Sequence, residues 1–287
     1  MTMRISRRSF LRVCGAASAA SFAAHTFGQP GTAAPRAFHF STSCSALEKD
    51  PELFQSIIDA GVTQLWLTGS WAGQWIDPPP LIEKWSAKIR ARGLAAHVIN
   101  VPLGHPDTGS DQWPRAVRPD GSTHTGTSLH PPAFEANCQA VRQLQDMQVE
   151  RVFLDDDFRL ATSPGAIGGC FCPDHKQEFL QQTGFGESQW SELLDAVKER
   201  HLTDTLRAWV EYTCDQLTAC FRMQQKAAPQ LQLGIMVMYL GAEKAGIRLT
   251  DYAQLPMRVG ELMFDDGAFT PVKGKTDELF SSLFHRR

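Results

Sequence analysis

The sequence predicts an α/β protein built as a parallel (β/α)8 TIM-barrel-like fold, of which about six strand–helix units are visible. After residue 35, apolar runs typical of buried strands alternate with segments of helical periodicity, a pattern that indicates a parallel sheet covered by helices. Polar residues follow the carboxyl ends of the apolar runs, where such barrels carry their active sites. A doubly wound sheet binds ligands at the same ends, but no Gly-x-Gly-x-x-Gly motif follows the first strand, which favours the barrel.

Six apolar segments predict the strands, and they span residues 37–43, 62–68, 94–101, 149–154, 231–239 and 259–264. Helices are predicted between them, at residues 51–60, 78–93, 134–144 and 203–227, with a short helix before the last. Prolines open the second of these helices and glycines stop the first two, as is usual at helix ends. Residues 102–130 predict a long polar loop, and residues 275–284 predict one more amphipathic helix.

The strand count is too low for a closed barrel. The sixth strand ends near residue 266 and leaves 21 residues, whereas two further strand–helix units need roughly 60. We therefore expect an incomplete barrel, and we favour a C-terminally truncated chain as the explanation. A wrong strand count and an irregular closure are the alternatives.

Composition and charge exclude several classes of function. The 287 residues carry 28 basic and 31 acidic side chains, a formal charge of −3, which disfavours nucleic-acid binding by phosphate neutralisation. No segment reaches the roughly 18 uninterrupted apolar residues of a membrane span, so we expect no stable membrane anchor. Walker, Gly-x-Ser-x-Gly and His-Glu-x-x-His motifs are absent from the sequence, and we expect no organic cofactor.

The N-terminus predicts an export signal. Ser6-Arg-Arg-Ser-Phe-Leu-Arg12 resembles the twin-arginine pattern Ser/Thr-Arg-Arg-x-Phe-Leu-Lys, and a weakly apolar segment rich in Ala and Ser follows it. We expect residues 1–34 to be a signal peptide and residues 35–287 to be the catalytic domain. The twin-arginine translocase is then a partner, and the mature chain, with a net charge of −7, is periplasmic or secreted.

Three carboxylates, Asp155, Asp156 and Asp157, end the predicted fourth strand. Like charges this close cannot all ionise freely, so at least one should hold its proton more tightly than an isolated Asp. A protonated carboxylic acid is what a glycosidase needs at the leaving oxygen. Alternatively, the carboxylates cap a helix, pair with a basic group such as Arg159, or hold a divalent cation.

Other candidate site residues follow further strand ends. Trp71 and Trp75, placed on a loop after the second strand, could stack on a sugar, whereas Trp66 and His97 are expected in the core, the histidine with its hydrogen bonds satisfied. The remaining substrate-binding candidates are Asn100, His105, Arg159 and Tyr239. Asp265 and Asp266 follow the sixth strand and offer a second pair of carboxylates.

Cys170-Phe-Cys172-Pro-Asp-His175 places two thiols and an imidazole within six residues. These ligand types suit a tetrahedral structural zinc ion. The fourth ligand is open between His124, His130, Cys44 and Cys138. The alternative is that the cysteines are buried free thiols, or form disulfides in an oxidising compartment.

Together, the aspartate triplet and the Cys-x-Cys-x-x-His segment resemble the family-42 glycoside hydrolases, the β-galactosidase-type barrels, over about residues 120–180. In that family the fourth strand ends in Asp-Asn-Glu, whose Glu is the general acid/base, and Cys-x-Cys-x-x-Cys belongs to a zinc site. The resemblance implies that Asp157 stands at the acid/base position, with Asp155 and Asp156 beside it. It also implies that His175 replaces the third cysteine.

In that family the nucleophile is a Glu at the end of strand seven. This sequence predicts no seventh strand. Asp265 or Asp266, after the sixth strand, could supply a different second carboxylate. Some barrel glycosidases carry a nucleophile on strand four and an acid on strand six, and in that arrangement Asp155–Asp157 would supply the nucleophile and Asp265 or Asp266 the acid. We expect an exported enzyme that hydrolyses O-glycosidic bonds in a carbohydrate substrate. A non-catalytic carbohydrate-binding relic of a barrel, and a metal-dependent hydrolase that uses the aspartate cluster, are the alternatives.

Overall fold

The computed structural model describes residues 38–71, 73–103, 113–127, 130–155, 158–160, 167–237, 242–255 and 257–259. For residues 124–127 and 257–259 it describes the backbone only. The chain divides into a unit of residues 1–36, which lies outside the described residues, and a unit of residues 37–287. The predicted signal peptide and the helix predicted at 275–284 are therefore outside the described part.

The described part contains nine strands and seven α-helices. The strands are β1 (His39–Thr42), β2 (Gln64–Trp71), β3 (Gln74–Trp75), β4 (Ala95–Val101), β5 (Arg115–Val117), β6 (Thr123–Thr127), β7 (Arg151–Leu154), β8 (Gln232–Val237) and β9 (Met257–Val259). The helices are α1 (Cys44–Lys49), α2 (Pro51–Asp59), α3 (Pro79–Ala91), α4 (Pro131–Asp146), α5 (Pro173–Thr183), α6 (Glu187–Glu199) and α7 (Asp204–Ala227). Two short 3₁₀ helices, Ala242–Ala245 and Leu249–Tyr252, follow β8.

Six of the strands form one parallel sheet in the order β1-β2-β4-β7-β8-β9, so that neighbours in the sheet follow one another along the chain. A doubly wound sheet reverses its strand order at a switch point. The unbroken order therefore confirms the predicted TIM-barrel-like fold. Among the described strands, β1 and β9 are the two edges and do not pair with each other, which agrees with an incomplete barrel.

The sheet has two different faces because successive side chains of a strand point in opposite directions. One face packs against the helices and builds the main core, with residues such as Leu65, Val98 and Leu154. The opposite face, which corresponds to the interior of a barrel, carries a separate cluster of Trp66, Phe153 and Met236. Trp66 is therefore a core residue, as predicted.

Side-chain caps define several helix starts. Asp50 accepts a hydrogen bond from the Glu52 N–H at the start of α2, and Thr203 accepts one from the Leu206 N–H at the start of α7. Such caps satisfy backbone donors that have no partner within the helix. None of the described helices has the length and apolar character required to cross a membrane.

A second hydrophobic core is formed within residues 167–212. It is built by α5, α6 and α7, and its buried aromatic side chains are Phe171, Phe179, Trp190, Trp209 and Tyr212. The rings of Phe179 and Trp209 meet edge to face, with centroids 5.1 Å apart. Two helices thus occupy the position where the sequence predicts one short helix.

The long loop predicted at 102–130 also differs from the structure, because it contains the antiparallel hairpin β5–β6. The sixth parallel strand begins at Met257, two residues before the predicted start. Six cysteines of the described chain are free and buried: Cys44, Cys138, Cys170, Cys172, Cys214 and Cys220.

Candidate functional site

Asp155 is the first residue after β7, at the carboxyl end of the sheet. Its N–H donates to the Asn100 carbonyl oxygen at 2.8 Å, and the Phe158 N–H donates to the Asp155 carbonyl oxygen at 2.8 Å. Strand alternation places the Asp155 side chain on the same face as Phe153, the inner face of the sheet. Arg159 follows the turn and is 8% exposed. The triplet's first carboxylate therefore lies where barrels carry their sites.

Asn100 was predicted as a site residue beyond the end of its strand, but it lies inside β4. Its Oδ1 accepts a hydrogen bond from the Ser70 N–H at 2.9 Å, at the point where β2 contains a register shift relative to β4. A Cβ on Gly69 would lie 2.1 Å from the same oxygen, so glycine is needed for this close approach. The amide oxygen of Asn100 supports the irregular end of β2.

Trp71 and Trp75 are strand residues, which corrects their predicted placement on a loop. Trp71 ends β2 and pairs with Gln74, and Trp75 belongs to β3. The intervening Gly73 has a φ of +74°, which lets the chain reverse within a few residues. The Trp75 Nε1–H donates to Gln143 Oε1 on α4 at 3.1 Å. The polar atom of Trp75 is thus used within the fold.

The other predicted site residues lie outside the described residues, and they are His105, Asp156, Asp157, Tyr239, Asp265 and Asp266.

The structure brings together four potential metal ligands: His130, Cys170, Cys172 and His175. Their ligand atoms all lie within 4.8 Å of one another. Cys172 Sγ is 3.1 Å from His175 Nδ1, and His130 Nε2 is 3.9 Å from the sulfur of each cysteine. Within the described residues, this is the one group of at least three His, Cys, Asp or Glu side chains that could hold a metal ion.

Local structure explains why these ligands converge. His130 directly precedes α4, Cys172 directly precedes α5, and His175 lies in the first turn of α5. Gly169, with a φ of +109°, brings the cysteine segment against α7, since a Cβ there would lie 2.7 Å from the Trp209 ring. The ligands are therefore supplied by two helix starts and the loop between β7 and α5.

Burial shifts the pKa of two of these four side chains, Cys170 and His130. It raises the pKa of the Cys170 thiol to about 11, and the N–H groups of Val117 and Cys172 oppose that rise. Burial also lowers the pKa of His130, and the nearby Asp174 carboxylate opposes this change. A bound cation would favour the thiolate and the neutral imidazole, which are the ligating forms.

The cluster fits a tetrahedral ion. Zn–S bonds of about 2.3 Å and Zn–N bonds of about 2.05 Å at tetrahedral angles imply sulfur–nitrogen separations of about 3.6 Å. The observed sulfur–nitrogen distances of 3.1 and 3.9 Å lie on either side of that value. These residues could therefore hold a metal.

His130 is the fourth member of the set, out of the four candidates that the sequence left open. Cys44 begins α1 instead, where its N–H donates to the Asp77 carboxylate at 2.6 Å. Cys138 lies inside α4, and neither cysteine joins the cluster. The side chain of His124 lies outside the described residues.

No family model matches the chain, and no curated protein matches it. Among solved structures, the β-galactosidase from Bacillus circulans sp. alkalophilus aligns with 84% of this chain and 42% of its own, at 13% identity and a TM-score of 0.54. The β-galactosidase from Rahnella sp. R3 aligns with 75% of this chain and 37% of its own, at 12% identity and a TM-score of 0.48.

The virulence factor SghA from Agrobacterium tumefaciens, solved with its substrate analog salicin, aligns with 68% of this chain and 37% of its own, at 12% identity and a TM-score of 0.36. The chain spans less than half of the length of each of these three proteins. At such low identity, the similarity to the first β-galactosidase establishes the fold, a TIM-barrel type.

Proposed function

We propose that this protein is an exported carbohydrate-active barrel of the family-42 glycoside hydrolase type, which hydrolyses O-glycosidic bonds. The observation that carries the proposal is the convergence of His130, Cys170, Cys172 and His175, which come from the loops that follow β4 and β7 and from the helices α4 and α5 that those loops enter. The resemblance to family 42 rests on the same two segments of sequence, and a β-galactosidase is among the proteins with a similar fold.

In the proposed mechanism Asp157 is the general acid/base. It gives its proton to the glycosidic oxygen as the bond to the anomeric carbon breaks, and Asp155 and Asp156 support its protonated state by their charge. Asp265 or Asp266 is the proposed second carboxylate, which either attacks the anomeric carbon itself or takes a proton from the water that attacks it. In both cases the oxygen of a water molecule becomes the new hydroxyl group at the anomeric carbon, and Asp157 regains a proton from that water or from solvent. Trp71 and Arg159 are the proposed sugar contacts among the described residues.

The two cysteines and two histidines are proposed to hold a structural zinc ion. Bound there, zinc would crosslink two helix starts that lie 40 residues or more apart in the chain. Its proposed role is structural and not catalytic. The resemblance supplies the identity of the metal, and the mixed sulfur–nitrogen ligand set supports it.

The proposed activity is tested with Asp157→Asn and a panel of nitrophenyl glycosides that includes a β-galactoside. Removal of a general acid/base is expected to lower kcat/KM by about 10²–10⁴-fold on the substrate that the wild type cleaves. The matched control is Asp195→Asn, because Asp195 is exposed on α6. Unchanged turnover in Asp157→Asn would remove the assignment.

A carbohydrate-binding barrel without hydrolytic activity is the second candidate. It is favoured by the open sheet of the described strands, with β1 and β9 at separate edges. Calorimetric titration of the wild type with oligosaccharides separates the two candidates. Binding without turnover of any glycoside supports this second function, and measurable turnover eliminates it.

A further inference from the structure

The hairpin β5–β6 contacts the metal-ligand segment through its backbone. The Val117 N–H donates to Cys170 Sγ at 3.4 Å, and the Val117 carbonyl oxygen accepts from the Phe171 N–H at 2.8 Å. On its other side, β5 pairs with β6, and the turn is closed by the Arg118 N–H donating to the Ser122 carbonyl oxygen. Strand β5 therefore lies between β6 and the segment that carries the ligand Cys170.

The same hairpin is joined to the cluster at its end. His130 follows the last residue of β6 by three positions and places its Nε2 3.9 Å from both cysteine sulfurs. The hairpin thus contacts the cluster through the hydrogen bond from Val117 to a ligand sulfur, and His130, the residue directly before α4, follows the hairpin closely in the chain. A group that donates a hydrogen bond to a ligating sulfur affects the affinity of the site for the metal, as other groups that hydrogen-bond to metal ligands do.

The start of the hairpin is held by apolar packing. Trp113 is buried and packs with Ala133 and Ala136 of α4. A Cβ on Gly73 would lie 2.4 Å from the Trp113 ring, so the tryptophan is closely covered from the β2–β3 turn. The packing of Trp113 at the start of the hairpin needs no metal. The contacts at the other end involve potential metal ligands, Cys170 and the nearby His130.

We propose that metal bound by His130, Cys170, Cys172 and His175 sets the position of the β5–β6 hairpin at the carboxyl face of the barrel. The hairpin lies in the loop that follows β4, and loops after barrel strands form the active-site face. Metal occupancy therefore shapes the sugar-binding face without any contact of the ion with substrate. This inference rests on the metal site of the proposed function.

Because coupling between two events is reciprocal, a hairpin that is ordered by the metal must also increase the affinity for the metal. Val117→Pro removes the N–H that donates to Cys170, and Val117→Ala retains it. Loss of an outer partner is expected to weaken Zn²⁺ binding by about tenfold or more, measured by competition with a chromophoric chelator. Val117→Ala should bind Zn²⁺ as the wild type does.

The direct readout is amide hydrogen exchange of the full chain, loaded with one equivalent of Zn²⁺ and then stripped by a chelator. Stripping is expected to accelerate exchange at Val117 and Phe171 by about tenfold or more, with β2 and β4 unchanged. His130→Ala should behave as the stripped wild type does. His201→Ala is the control, because His201 is exposed between α6 and α7.

If one equivalent of Zn²⁺ binds but does not change hydrogen exchange at Val117 and Phe171, the inference about the hairpin is wrong and the metal site is retained. Equal Zn²⁺ affinities of Val117→Pro and Val117→Ala would also overturn it. If the wild type binds no Zn²⁺, both the metal site and the inference fall.

Discussion

His97 shows what a single side chain in the sheet can contribute. It is 4% exposed on the inner face of β4, and its ring lies 4.7 Å from that of Trp66. Burial lowers the pKa of His97 to about 4, and the nearby Arg151 and His39 add to this effect. The sequence predicted a core histidine with satisfied hydrogen bonds. The burial is confirmed, but Nδ1 has no hydrogen-bond partner in the described structure.

We therefore expect the free energy of unfolding to fall as the pH drops from 7 to 5. The unfolded state, where His97 has its ordinary pKa near 6.5, binds the proton more tightly than the folded state does, and the loss from this one residue should be about 2 kcal/mol at pH 5. The contribution levels off only when the pH is well below 4, where His97 is protonated in both the folded and the unfolded state. Urea unfolding at pH 7 and pH 5 measures it.

His97→Leu should remove this part of the pH dependence, and His201→Leu, at an exposed histidine, should leave it in place. An unchanged slope of stability against pH in His97→Leu would show that His97 keeps an ordinary pKa in the folded protein.

Single-residue predictions from the sequence succeeded where the chemistry is local. Cys170, Cys172 and His175 are close in the chain, and they do converge. His130 lies 40 residues from Cys170, so only the fold could select it from four candidates. The role of Asn100 could not be foreseen either, because its partner is a backbone N–H in the irregular end of the neighbouring strand.

Among the elements, α5 and α6 stand apart because they build a core of their own with α7. Phe179 is fully buried at the centre of this core and contacts Phe185, Trp190, Trp209 and Tyr212. The potential metal ligands Cys172 and His175 lie at the start of α5. The stability of this helix pair therefore depends on a few aromatic contacts.

Phe179→Ala is expected to lower the free energy of unfolding by about 3–5 kcal/mol, since it removes a large buried ring and leaves a cavity. Urea denaturation followed by tryptophan fluorescence is the measurement. Leu202→Ala is the control, because Leu202 is 63% exposed beside the same helices. A loss below about 1 kcal/mol in Phe179→Ala would mean that the core can close around the missing ring.

The long regular elements were predictable from periodicity, as α7 and the strands β2, β4 and β8 show. Short polar elements were not. The Thr-His-Thr-Gly-Thr segment of β6 has no apolar alternation that would indicate a strand, and its pairing with β5 depends on tertiary contacts. The break between α5 and α6 does have a local signal, since Gly184 adopts a φ of +70° at the end of α5.

At the scale of the whole molecule, the strand order distinguishes the barrel from the doubly wound sheet, and composition alone could not make that distinction. The alternation of strand and helix predicted the sheet, the absence of a dinucleotide motif favoured the barrel, and the order β1-β2-β4-β7-β8-β9 confirmed it. Five of the six predicted parallel strands match described strands with small differences at their ends. The sixth, predicted at 259–264, shares only Val259 with β9, and residues 260–264 lie outside the described part of the chain.

Export is a property of the whole chain, and it remains a prediction. We expect Arg7→Lys combined with Arg8→Lys to abolish delivery across the membrane in a cell with a functional twin-arginine pathway, because both arginines of the motif are replaced. Fractionation and detection of the protein measure the outcome. Arg4→Lys lies outside the motif and should be exported normally. Normal export of the double variant would exclude this route.

The burial of the thiols governs how the folded chain withstands oxidants. Burial raises the pKa of Cys44, Cys214 and Cys220 to about 12, which leaves about one thiol in 10⁵ as thiolate at pH 7, and the thiolate is the form that attacks disulfides. A thiol reagent should therefore label these cysteines slowly in the native protein and rapidly in urea. If the chain folds before it crosses a membrane, the fold itself keeps these cysteines reduced in an oxidising compartment.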